Sequence, residues 1–169
     1  MRTTAVLLVS ASLMSASATP AALAEADQDQ IAGLAQQYLE NRARKVTTGP
    51  QTQGFGVPVT PALAAKLDVH ESELEAARAS ARTLYRSARV RTWVDRLDVD
   101  PNGKAVVAHV REHAELHFES ASAVPFTGYG LSHLLTFIRA DGGWALADVA
   151  LGHYKHCALL PETQQPSEC

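Results

Sequence analysis

His109-Val110-Arg111-Glu112-His113 reads H-x-x-E-H, a spacing that on a helix turns two imidazoles toward one metal ion and leaves the glutamate as base. The flanking residues do not favour a helix. Val106, Ala108, Val110, Ala114, Leu116 and Phe118 alternate with polar or charged neighbours, the period of a strand. On a strand, residues four apart lie roughly 13 Å from one another, too far to share a metal whose ligand bonds are about 2 Å. His109, His113 and His117 then become a row on the polar side of that strand. Such a row is solvated and responds to pH near neutrality, or meets histidines of another chain at a metal. His153 and His156 beside Cys157 lack a zinc spacing. No metal and no cofactor is expected.

Glu112 remains, because it is the residue that interrupts the apolar side of the same strand. A buried carboxylate must be paired, neutralised or catalytic. Asp148 is the second carboxylate of interest, placed by alternation on the side of Trp144 and Leu146. A carboxylate raised in pKa by burial could take a proton beside a carbonyl, with Tyr38 or His133 as hydrogen-bond donor. Pairing of Glu112 with an arginine would make it structural instead. There is no G-x-S-x-G elbow, no phosphate loop and no supported Cys-His pair, so nucleophilic catalysis has no footing.

The elements that must position these residues follow from pattern. Leu131 to Val149 reads as a β-hairpin, its two apolar runs joined by Asp141-Gly142-Gly143, where glycine supplies the positive φ of a tight turn. A lone hairpin is marginal in water, so a larger sheet must receive it. That sheet takes a strand from Arg89, a turn at Asp100-Pro101-Asn102-Gly103 and the long strand over 106–118. Ser120 to Gly130 reads as a loop. Upstream, Asp27 and Gln30 form a capping box ahead of Ile31, Leu34, Ala35, Tyr38 and Leu39, predicting a helix to about Val46. The Gly- and Pro-rich stretch 48–61 is a loop. Thr60-Pro61 starts a short helical turn through Leu67, and Asp68 with Glu71 caps a longer helix to about Ala88. Arg78, Arg82 and Arg86 repeat on one face of that helix, read as solvated rather than anion-binding.

Composition bounds the whole. With 46% hydrophobic and 20% charged residues the chain suits one globular domain. A net charge of -3 gives no general attraction to nucleic acid or anionic membrane, and neither is an expected partner. Residues 1–24 read as a secretory signal: Arg2, the apolar run Ala5 to Met14, and Ala22-Leu23-Ala24 as cleavage site, with a cut after Ala18 fitting less well. The run is too short to span a bilayer. Secretion to the extracellular space is therefore expected, with a domain over 25–156 and a tail over 157–169. In that compartment Cys157 and Cys169 would bridge and pin the tail, adding up to ~3 kcal/mol. Two unpaired thiols at a frayed end are the alternative.

Two or three helices followed by at least four strands, closing on a hairpin with D-G-G-W at its turn, resemble the nuclear transport factor 2-like superfamily. The residues carrying the resemblance are Tyr38-Leu39-Glu40-Asn41-Arg42, the strand around Val106 to Phe118, and Leu134 to Ile138 followed by Asp141-Gly142-Gly143-Trp144. More closely, the chain resembles the helix-plus-sheet region of exported actinobacterial proteins, which in some precedes an amidase domain. The resemblance implies an α+β fold: N-terminal helices packed on a strongly bent, mostly antiparallel sheet, forming a cone with an apolar cavity. It also implies the option of a homodimer through the outer sheet face. Two functions follow as expectations. One is a secreted non-catalytic binding or interaction domain, taking a small apolar ligand or a cell-envelope protein. The alternative is a small isomerase, cyclase or lyase using a buried carboxylate.

Overall fold

The computed structural model describes residues 23–120 and 124–157, the side chains of 152–157 excepted. Helices α1 (Glu25–Arg44) and α2 (Pro61–Ser80) precede strands β1 (Tyr85–Val99), β2 (Ala105–Phe118), β3 (Phe126–Ala140) and β4 (Gly143–Cys157). The strands form one antiparallel sheet in the order β1-β2-β3-β4, so each is paired with its neighbour in sequence. The α+β architecture expected from the sequence is the one observed: two N-terminal helices on a four-stranded antiparallel sheet. Register shifts interrupt β1 between Val94 and Arg96, and the β3–β4 ladder at Leu131/His133 and Thr136/Phe137. An extra residue in one strand bends it and strengthens its twist.

Helix α1 lies across the sheet with Ile31, Ala35, Tyr38 and Leu39 inward, an i, i+4, i+7, i+8 stripe. They meet Val106, Ala108, Val110, Leu135, Phe137, Trp144 and Leu146 in one core. Burying each large aliphatic or aromatic side chain contributes about 1.5–3 kcal/mol. Among the described residues, no helix is long and apolar enough to cross a membrane.

The helix boundaries differ from the expected ones. Asp27 does not cap α1; the helix begins two residues earlier, with Ala24 at its cap and no side-chain cap bond. The Asp27 carboxylate is taken instead by Arg139, through two bonds of 2.7 Å, and by the Trp144 indole N–H at 3.0 Å. Those bonds, Arg139 first, hold its pKa below the usual carboxylate value. A two-bond guanidinium partner outcompetes a single backbone N–H. Helix α2 is one continuous helix from Pro61, capped by Thr60, whose hydroxyl accepts from Leu63 N–H at 3.3 Å. Such a cap contributes about 1 kcal/mol. The helix stops at Ser80, and Tyr85 to Ala88 belong to β1, because pairing with β2 satisfies their backbone where a last helical turn would not.

At the β3–β4 turn Gly143 has φ 122°, and a Cβ there would collide with the Gln30 side chain of α1. The conformation is what requires glycine, since the Gln30 amide ends a flexible, exposed side chain that can move aside. The β1–β2 turn is held by Asp100, whose carboxylate accepts from Lys104 N–H at 2.6 Å and Ala105 N–H at 2.8 Å. The disulfide expected between Cys157 and Cys169 lies outside the residues whose side chains are described.

Candidate functional site

Strand β2 alternates as its sequence requires, and its inward positions are Val106, Ala108, Val110, Glu112 and Ala114. Glu112 therefore takes an apolar position, with its side chain wholly covered. The β2–β3 register puts Leu131 opposite Glu112, His133 opposite Val110 and Tyr129 opposite Ala114. His133 and Tyr129 thus stand diagonally on either side of the carboxylate, on the same face, within reach of polar side chains. His133 Nε2 lies 2.7 Å from Glu112 Oε2, and the Tyr129 hydroxyl donates to Oε1 at 3.1 Å. Helix α1 lays Tyr38 and Arg42, one turn apart, over this pair. Arg42 Nη1 is 3.7 Å from Oε2, an ion pair too long to be a hydrogen bond.

Burial raises the pKa of the Tyr38 phenol to about 12, against the opposing charge of Arg42. It raises the Tyr129 phenol as well, helped by the negative charge of Glu112. Both phenols keep their protons at neutral pH, and that of Tyr129 is donated to Glu112. The contact with Glu112 engages only Nε2 of the His133 ring. Nδ1 is buried and has no hydrogen-bond partner among the described residues. The Arg42 side chain is 16% exposed, so the cluster reaches solvent there.

Three of the four candidate residues, Tyr38, Glu112 and His133, come together in this cluster. Asp148 does not. Phe137 pairs with Leu146 but Thr136 with Asp148, so Ala147 is an extra residue that reverses the alternation. Asp148 is consequently exposed on the side of Thr136 and makes a 3.4 Å surface pair with Lys66. The expectation that it shares a cavity with Glu112 is corrected by that bulge. Two members were missed. Arg42 is four residues beyond Tyr38, on the same helical stripe. Tyr129 begins the alternation Tyr129, Leu131, His133, Leu135, Phe137, hidden inside a stretch read as loop.

The segment H-x-x-E-H is strand, with Glu112 inside and its two histidines on the outer face. There His109 Nε2 meets Asp98 at 2.8 Å, and Glu115 lies 3.6 Å from His113 and 3.5 Å from His117. Arg111 holds Asp95 through two bonds of 2.7 and 2.8 Å. Among the described residues, no group of three His, Cys, Asp or Glu side chains is placed to hold a metal.

Two helices laid over one four-stranded antiparallel meander, with a polar cluster between the layers, give the chain a structural similarity to proteins of the nuclear transport factor 2-like fold. The chain is similar to the intermembrane space region of the chloroplast protein ARC6: 11% identity, TM-score 0.50, 73% of this chain and 94% of that one covered. It is also similar to Kfla4162 from Kribbella flavida (13% identity, TM-score 0.47, 78% and 94% covered). A third is a type 2 hexachlorocyclohexane dehydrochlorinase, LinA (9% identity, TM-score 0.43, 85% and 99% covered). No family model and no curated protein matches the chain. Likeness at such identities shows the fold alone.

Proposed function

We propose that the chain is an exported, non-catalytic binding domain, working outside the cell or at its envelope on a small, largely apolar molecule. One observation carries the reading: both oxygens of Glu112 are engaged by protein groups, Tyr129 on one and His133 on the other, with Arg42 as counter-charge. A general base needs a lone pair facing the atom it deprotonates. No second carboxylate supports it, since Asp148 is at the surface. Glu112→Gln should leave far-ultraviolet circular dichroism unchanged and retain any small molecule that native mass spectrometry finds bound to the wild type. A folded Gln variant that loses a turnover shown by the wild type would overturn the reading in favour of an enzyme.

Export is supported by the signal-like residues 1–24 and by helix α1 beginning at Glu25, where cleavage after Ala24 would fall. The intact mass of protein recovered from the medium of an exporting bacterium should correspond to a chain starting at Glu25. Without reduction, neither Cys157 nor Cys169 should take up an alkylating reagent. Cell-retained protein of full length, or labelling at both cysteines, would refute this part.

A further inference from the structure

From Ala76 to Val94 stand Arg78, Arg82, Arg86, Arg89 and Arg91 with no acidic residue among them, in a chain of net charge -3. As a helical stripe they would be a solvated face. The structure instead ends α2 at Ser80 and begins β1 at Tyr85, so Arg78, Arg82 and Arg86 come from a helix end, a connector and a strand. We propose that this end of the molecule binds a linear polymer that carries phosphate groups on a hydrophilic backbone without bases. The inference goes beyond the binding reading above and does not rest on the Glu112 cluster.

Three observations build it. The first is a gathering of arginines from separate elements. A bridge between Thr47 and Tyr85, with Thr48 N–H donating to the Tyr85 carbonyl at 2.7 Å, sets the end of α1 beside the start of β1. Between them lies a cleft of about 340 Å³ with Arg44, Arg86, Thr47 and Ser87 among its walls. Arg78 reaches the same turn and donates to the Thr47 carbonyl at 3.3 Å. The second is that the positive charge is in excess. Glu40 pairs with Arg44 and Glu115 with Arg91. The partial negative charge of the two helix C-termini offsets part of Arg44 and Arg78. Arg82, Arg86 and Arg89 are exposed and make no ion pair among the described residues, although Glu119 shares a second cleft with Arg82. A guanidinium stays charged, and its fork suits phosphate oxygens. The third is what lies between the arginines. Ala77, Ala79, Ser80, Ala81, Thr83 and Ser87 are exposed and small or polar, with Leu84 the exception. A protein partner is held by apolar or aromatic anchors at the centre of its interface, and single-stranded nucleic acid by aromatic platforms. Tyr85 is no such platform, being half-buried and stacked on Phe118. Three unpaired guanidinium groups, distributed over a connector and a strand, exceed what one small ion meets, which selects a polymer.

The test is titration of the whole protein with inorganic polyphosphate at about 50 mM salt. Orthophosphate at the same phosphate concentration is the monomer control, and polyglutamate and oligothymidylate of matched charge number are the competitors. Polyphosphate should bind where orthophosphate does not, with an affinity that falls steeply as salt rises. Arg82→Ala, Arg86→Ala and Arg89→Ala combined should weaken it roughly tenfold or more and flatten the log–log salt dependence by about two. The control removes the same number of charges from arginines that each hold a carboxylate, Arg91→Ala with Arg96→Ala and Arg111→Ala, and should leave binding nearly unchanged. All six positions are exposed, so both triple variants should fold. Absence of polyphosphate binding, equal loss in the two triple variants, or binding by orthophosphate or either competitor as tight as by polyphosphate overturns the proposal. Each of those results leaves the binding reading in place.

Discussion

Trp144→Ala should cost about 3–5 kcal/mol, the largest loss expected from any single core truncation here. The indole is 1% exposed, its N–H is held by Asp27 at 3.0 Å, and the Arg139 guanidinium sits 4.3 Å from the ring centre. Truncation opens a cavity and strands the Asp27 oxygen that the indole satisfied, while Arg139 loses the ring face it covers. Against a total stability of about 5–15 kcal/mol for a domain of this kind, that is a third or more. Urea unfolding should show a lowered midpoint with an unchanged slope. The control is Trp93, 43% exposed on the outer face beneath Arg111, where alanine should cost less than about 1 kcal/mol. Equal losses at the two tryptophans would contradict the account of the core.

The second large effect is expected at His133. His133→Leu removes one partner from a carboxylate with no exposure, and breaking a buried pair from one side costs about 3–5 kcal/mol. Replacing both partners, Glu112→Leu with His133→Leu, should cost less than His133→Leu alone, since it removes the stranded charge. Tyr129 then loses an acceptor, but Arg42 is near enough to solvent to be hydrated. A double-mutant cycle measured by chemical denaturation reads the coupling directly. Strictly additive losses would show that Glu112 does not depend on His133.

Much of this fold was legible because its local signals agree with its global pairing. The D-G-G-W turn, the alternation of β2 and the D-P-N-G turn each specify a meander, and neighbouring strands in sequence are neighbours in the sheet. Glu112 was visible for a related reason, as the one polar residue in an apolar row. What stayed hidden depended on single-residue events that pattern does not carry. Asp27 looks like a helix cap until a guanidinium more than a hundred residues away competes for it. Asp148 looks inward until one bulged residue turns it out. Tyr129 and Arg42 join the site by register and by helix placement, which a sequence expresses only once the strands are aligned.

The clasp of Asp27 with Arg139 and Trp144 also says something about time. Its partners are separated by 112 and 117 residues, the start of the first helix and the last hairpin. A ribosome, which delivers the chain from its N-terminal end, releases α1 long before the strands that cover it. Until β3 and β4 arrive, the stripe of Ile31, Ala35, Tyr38 and Leu39 has no sheet to pack on. An amphipathic helix of twenty residues holds little structure by itself. The chain therefore stays open along nearly its whole length during synthesis and closes only once its last two strands are free.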